Sequence, residues 1–329
     1  LEQREAPSGD EGGAPPPAPA PAPAPRSPKA RNNVWLIAGL VMGLVVLGVL
    51  VGRLLPSGPA ASPAAPPAPA TNAVNAAQPA DTNVIPADQE TDPLWKRCES
   101  DDPDTQIAGC AAIIQANTET ADNLATAFNN RGWGYYNKGQ YDAAISDFGQ
   151  AIALKAQYGQ AFNNRGHAYF LSGKYDQALA DYMQAVSLMP DDSDTYAGLG
   201  NVYGVKGDYD HAIYDYTKAL SLDPQNEGAV LQRGMAYYGA KKDDLAMADF
   251  DKALELDPSA DFAVVGRGNV LSAKGDYPDA IAEFNRALAI NPKNATAYYG
   301  RSIAKQRAGD ANGAAADHAL AKQLNPATP

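Results

Sequence analysis

With 329 residues, 45% of them hydrophobic, the chain holds material for a substantial core. A formal net charge of −12 and the lack of a basic patch interleaved with aromatics argue against nucleic acid as a partner. No G-x-S-x-G, H-E-x-x-H, P-loop or Rossmann glycine pattern occurs, which removes the motif basis for the corresponding enzyme classes. The material is unevenly spread: all 17 tyrosines lie from Tyr135 to Tyr299, while 17 of the 26 prolines lie from Pro7 to Pro86.

Residues 1–33 include the run APPPAPAPAPAP at 14–25, too poor in hydrophobic pattern to fold, and are expected to be disordered and cytoplasmic. The stretch that opens at Val34 and closes at Gly52 has 19 residues without a charge or a strong polar group. As a helix it would measure about 28 Å, close to the hydrocarbon thickness of a bilayer. Trp35 at one end and Arg53 at the other suit the two interfaces, so 34–53 is expected to be a transmembrane helix with lipid as its partner. A cleaved signal peptide is the competing reading, but its apolar stretch is shorter and nearer the N-terminus. Arg26, Lys29 and Arg31 precede the stretch, and Arg53 is the only basic residue after it until Lys96. That asymmetry predicts a cytoplasmic N-terminus and, in a bacterial envelope, an inner-membrane protein whose remainder is periplasmic. The opening Leu1, in place of Met, is read as a sign that a cytoplasmic portion precedes it. Residues 54–91 form a second Pro/Ala-rich linker, expected to be extended and disordered, reaching up to roughly 100 Å at about 3.1 Å per residue.

Residues 92–124 read as one degenerate helical hairpin that caps the C-terminal part of the chain. Trp95, Ile107, Ile113 and Ile114 supply its apolar faces, and Asp101, Asp102, Pro103 and Asp104 mark its turn. Both cysteines of the chain, Cys98 and Cys110, fall here. In an oxidising compartment the confinement favours a disulfide; two buried thiols acting as small apolar residues are the alternative. A symmetric hairpin turning at Asp102 would set Cys98 opposite residue 106, about one turn short of Cys110.

Residues 125–329 contain one 34-residue unit in six copies, 125–158, 159–192, 193–226, 227–260, 261–294 and 295–328, without insertions. Small residues recur at position 8 (Gly132, Gly166, Gly200, Gly234, Gly268, Ser302), and alanines recur at positions 20 and 27 of every copy. An aromatic recurs at position 24 (Phe148, Tyr182, Tyr216, Phe250, Phe284), and a proline closes five of the six copies. In the first copy, helical spacing predicts one helix over 128–138, a break at Gly139 and Gln140, and a second helix over 141–154.

These small-residue positions, the aromatic and the closing proline resemble the tetratricopeptide repeat. The resemblance implies an all-α, right-handed superhelical solenoid of helical hairpins with a concave and a convex face. It also implies that the concave groove, lined by the first helix of each hairpin, binds another protein or a peptide. Carried over by position, the groove residues are Asn129, Asn130, Trp133 and Tyr136 in copy one and Asn163, Asn164, His167 and Phe170 in copy two. Copy three supplies Asn201, copy four Gln232, Met235 and Tyr238, and copy five Asn269. These positions are expected to point away from the neighbouring hairpin, and the amides can both donate to and accept from a peptide backbone. The lysine-and-asparagine clamp that some family members use for acidic chaperone tails is absent, since copy one has Asn129 and Trp133 at its key places.

One charged pair repeats: Arg131, Arg165, Arg233, Arg267 and Arg301 at position 7, each with an acid at position 23, broken only in copy three by Leu199 opposite Asp215. This predicts a ladder of partly buried ion pairs that fixes hairpin register. The three histidines, His167, His211 and His318, fall at positions 9, 19 and 24 and cannot converge. No enzyme, cofactor or metal is therefore expected. The favoured reading is a membrane-anchored scaffold for a protein partner. The alternatives are the sensory half of a membrane enzyme, such as a kinase, whose catalytic domain lies upstream, and an envelope or secretion assembly factor that binds by its convex face.

Overall fold

The 34-residue period becomes a repeating pair of helices because each copy carries two apolar stripes that neither helix can bury alone. A computed structural model describes residues 93–329, and among them there is no strand. The apolar stretch 34–52 and both Pro/Ala-rich segments lie outside the described residues, and no described helix is long and apolar enough to cross a membrane. Two helices come first, α1 (Pro93–Cys98) and α2 (Pro103–Ala116). The six hairpins follow as α3 (Ala121–Asn137) with α4 (Tyr141–Leu154), α5 (Gly159–Leu171) with α6 (Tyr175–Leu188), and α7 (Ser193–Val205) with α8 (Tyr209–Leu222). The last three are α9 (Glu227–Gly239) with α10 (Asp243–Leu256), α11 (Asp261–Lys274) with α12 (Tyr277–Ile290), and α13 (Ala295–Arg307) with α14 (Ala311–Leu324).

The first copy departs from its predicted span, since α3 begins at Ala121 rather than at 128. Thr120 caps it, accepting from the Asn123 backbone N–H at 3.2 Å, and so starts the helix on a polar turn that carries no apolar stripe. Between the helices of a hairpin the chain turns through a residue in the left-handed region. Five copies use glycine there, whereas copy four uses Lys241 at φ 59°.

The aromatic at position 24 explains the small residue at position 8. In the fifth hairpin the Phe284 ring is sandwiched between Gly268 of its own copy and Gly300 of the next. A Cβ would come within 2.8 Å of the ring at Gly268 and 2.5 Å at Gly300. Copy six, with His318 in place of the ring, is the copy that carries Ser302 instead of glycine. The alanines of positions 20 and 27 are buried in every copy and let the helices approach closely.

First helices of consecutive copies also contact one another, whereas second helices pack chiefly on first helices, so the first helices line the inner side of the curve. The position-7 arginines lie across this stack. Arg131, Arg165, Arg233 and Arg301 each make two bonds to the aspartate 16 residues later, with Nε–Oδ2 distances of 2.7, 2.7, 2.8 and 2.7 Å, and Arg267 binds Glu283 at 2.9 Å. Three of them also reach back 16 residues to the preceding copy: Arg233 to Thr217 at 3.3 Å, Arg267 to Asp251, and Arg301 to Asn285 at 2.5 Å. The ladder therefore ties a hairpin to itself and to its predecessor.

At the N-terminal end, Trp95 is fully buried with Cys98, Cys110 and Ile113 in one cluster, and its indole donates to Glu119 at 3.3 Å. Cys98 and Cys110 are joined in a disulfide with Cα atoms 4.5 Å apart. The symmetric-hairpin geometry fails because α1 stops at Cys98 and α2 crosses it at Gly109, where a Cβ would meet the Cys98 backbone N at 2.6 Å.

Candidate protein-binding groove

All the position-selected residues fall on the first helices, but they are more enclosed than their spacing predicts. Asn129, Tyr136, Asn163, Asn164, Phe170, Asn201, Gln232, Tyr238 and Asn269 are buried, and only Asn130, Trp133, His167 and Met235 are partly buried, each with some surface left accessible. The expectation that these side chains point away from the neighbouring hairpin does not hold for Asn129, Asn163 and Asn164, which bond across a copy boundary. In copies one and two the amides turn inward onto partners, two of these bonds crossing a boundary between copies. Asn164 donates to Asn129 at 3.0 Å, Asn130 accepts from Asn129 at 3.5 Å, and Asn163 accepts from Thr195 at 3.3 Å.

Position 9 follows position 24. Where position 24 is tyrosine, its hydroxyl engages the groove residue: Tyr182 with His167 Nδ1 at 2.8 Å, and Tyr216 donating to Asn201 Oδ1 at 2.8 Å. Burial pushes the His167 imidazole down to about 4, with Asp192 pulling weakly the other way, so it is neutral at physiological pH. Trp133 stacks on Tyr136 at 4.9 Å, and Tyr136 and Phe170 pack on Tyr141 and Tyr175 of their own hairpins. Tyr238 and Met235 join the cluster around Phe250.

Three groove positions keep a buried polar atom without a hydrogen-bond partner: Tyr136 Oη, Gln232 Oε1 and Asn269 Nδ2. Burial also raises the Tyr136 phenol, which stays protonated as a donor. Such atoms are costly to leave unmatched. A cleft of about 170 Å³ opens beside Asn269, lined by residues of copies four, five and six and including Arg307 at position 13. Arg307 was not among the groove residues expected from the sequence. A larger cleft, of about 380 Å³, sits at the turns of copies one and two, where Lys174 and Asp142 pair across it at 2.9 Å. The histidines remain apart, His211 on Asp208 at 2.7 Å and His318 against Tyr299.

A stack of helical hairpins whose first helices form a continuous lining, with amide bonds across its first two seams, defines a helical-repeat solenoid. Family profiles described as TPR repeat match residues 134–173, 166–204 and 268–309, and those described as tetratricopeptide repeat match 193–226 and 228–259. Between them they span about half of the chain, which belongs to the tetratricopeptide repeat family. Solved structures of the same fold include a tetratricopeptide repeat protein from Parabacteroides merdae ATCC 43184, 18% identical, with TM-score 0.59 over 70% of this chain and 90% of its own. PilW, a type IV pilus biogenesis factor, is 19% identical with TM-score 0.56, covering 62% of this chain and 94% of its own. The pilF product of Pseudomonas aeruginosa is 18% identical with TM-score 0.54, covering 64% and 95%. At these identities the likeness concerns the fold. No curated protein sequence matches the chain.

Proposed function

We propose that the chain is a non-enzymatic scaffold that holds a segment of another protein along the groove formed by its first helices. The unpartnered polar atoms of Tyr136, Gln232 and Asn269 carry this reading, because they lie on the first helices of three different copies, where a bound chain would supply the partners they lack once the side chains turn outward. The groove's neutral, amide-and-aromatic chemistry supports a ligand held without strong sequence demand. In this reading residues 34–52 anchor the scaffold in the inner membrane, with the repeats periplasmic. The basic residues ahead of that stretch and the Cys98–Cys110 disulfide both support that side.

The test begins with capture from envelope extracts on the immobilised chain, identification of the bound protein, and its purification. The combined variant Asn130→Ala, Trp133→Ala and Met235→Ala changes only partly buried lining positions. It should weaken the purified partner's Kd at least tenfold while leaving the melting temperature close to that of the parent. An unchanged Kd in a folded variant overturns the groove. A second reading, binding by the convex face, draws on Met183 and Tyr214, which are 58% and 69% exposed on second helices. It gains if Met183→Glu with Tyr214→Glu abolishes binding instead. A reporter fused after Pro329 that is active only in the cytoplasm overturns the orientation.

A further inference from the structure

Copy three keeps the setting of a position-7 arginine without the arginine. In copies one and two the guanidinium lies over two aromatic rings, Arg131 over Phe128 and Tyr135 at 5.4 and 6.0 Å and Arg165 over Phe162 and Tyr169 at 5.6 and 5.8 Å. From there it binds both oxygens of the position-23 aspartate. Copy three has the same three groups in Tyr196, Tyr203 and Asp215, but Leu199 stands at position 7. Leu199 does not replace the guanidinium, since its side chain is buried in a cluster with Phe170, Ala178, Tyr182 and Val202.

The Asp215 side chain consequently forms no hydrogen bond or ion pair among the described residues. His211 acts on it from a distance while bound to Asp208 at 2.7 Å, and Lys218 stands over the Tyr196 ring at 5.7 Å without pairing to it. The surface beside this carboxylate is apolar. In copies four, five and six the guanidinium also crosses to a polar side chain at position 25 of the preceding copy, Thr217, Asp251 or Asn285. At the copy-three seam that position is Met183, which is 58% exposed, and Tyr214, next to Asp215 on α8, is 69% exposed. These are the two most exposed large hydrophobic side chains among the described residues, and they flank the one gap in the ladder.

We infer that this gap, on the second-helix side of the solenoid, is a docking site for an arginine of another protein, whose guanidinium supplies Asp215 with the missing rung while an apolar neighbour covers Met183 and Tyr214. The arginine-bearing copies show the bound geometry. A planar guanidinium can meet both carboxylate oxygens and lie on the aromatic rings, whereas an ammonium can do only part of this. Asp215 is 6% exposed, as closely covered as Asp147, Asp181 and Asp249 are beneath their arginines at 5, 6 and 7%. The Tyr214 and Lys218 side chains therefore turn aside to admit the ligand. The site goes beyond the groove reading and lies apart from the lining residues that carry it.

The experiment is calorimetric titration of the full chain at pH 7.5 with acetylated pentapeptide amides, Ala-Leu-Arg-Leu-Ala against its citrulline and lysine counterparts. Citrulline keeps the shape of arginine and lacks the charge. The arginine peptide should bind at least about fivefold more tightly than the citrulline peptide, with the lysine peptide between them. Asp215→Asn should remove the preference. Leu199→Arg should remove it too, by filling the place from within the chain with the pair that five other copies hold. No preference for arginine over citrulline, whether both peptides bind equally or neither binds, overturns the inference. A preference that survives either substitution also overturns it, because general attraction to an acidic chain would then be the cause. The Asn130→Ala, Trp133→Ala and Met235→Ala variant separates the two readings. It should keep the arginine preference in full even where it weakens the groove partner, and loss of the preference in that folded variant would place the peptide in the groove and end the inference.

Discussion

Asp215 is the residue where the repeat's charge logic is interrupted. Its counterparts in four other copies are aspartates held by a position-7 arginine, and in copy three that place is Leu199. Burial pushes the Asp215 carboxyl up to about 6 from the usual 3.8, with the neighbouring His211 pulling it slightly down. A raised folded-state pKa means that the folded chain binds this proton more tightly than the unfolded chain does. Stability from this group therefore declines as pH rises from 3.8 towards about 6 and stays lowest above that window. At about 1.4 kcal/mol per pKa unit the ionised carboxylate costs on the order of 2–3 kcal/mol. Asp215→Asn should accordingly stabilise the protein by about 1–3 kcal/mol at pH 7.5 and by almost nothing at pH 4. Urea melts of both proteins at the two pH values check this, and a gain of equal size at both would show that the carboxylate is not strained by burial.

At the scale of paired helices, the ladder converts a sequence coincidence into register. Each bidentate arginine also lies over a position-4 or position-11 aromatic, as Arg233 does over Tyr237 at 5.8 Å. Loss of one partner leaves a partly buried charge, which costs more than loss of both. Arg233→Leu should lose about 2–4 kcal/mol, and adding Asp249→Leu should restore part of that loss. Additive losses in denaturant melts would mean that the two side chains do not interact. This ladder was legible in the sequence because both partners keep fixed positions. A second ladder was not. Lys174, Lys206, Lys242 and Lys274 reach Asp142, Asp176, Asp210 and Asp244 of the preceding copy at 2.6–3.1 Å, but the lysine alternates between positions 16 and 14, so no single column shows it. These pairs are exposed and add little. The repeat, its helical hairpins and the ladder could be read from periodicity. The inward turn of the amides could not, because Asn129 and Asn164 meet only once two copies have stacked, and neither copy's own spacing records that contact. Asn269 was legible as a groove position, whereas the lack of a partner for its Nδ2 becomes visible only once the hairpins are packed.

Over the whole solenoid, stability is close to a sum of hairpin terms and nearest-neighbour terms, so the weakest junction sets where cooperative unfolding divides. That junction lies between α6 and α7. Its helix contacts are the least extensive of any between consecutive hairpins. Copy three lacks the arginine that in later copies reaches back to the preceding hairpin, and the position it would reach is the exposed Met183. Asp215, lacking that arginine, adds a local penalty above pH 6. Hydrogen exchange in increasing urea at pH 7.5 should therefore show residues 93–188 and 193–324 losing protection as two blocks at different urea concentrations. Leu199→Arg supplies the missing rung, pairing Asp215, and should draw the two transitions together while raising the lower one. The substitution acts on a single side chain at the junction, so convergence would identify the gap in the ladder as the cause of the division. Uniform loss of protection in the parent, or a division at another junction, would mean that hairpin packing outweighs the ladder in setting cooperativity.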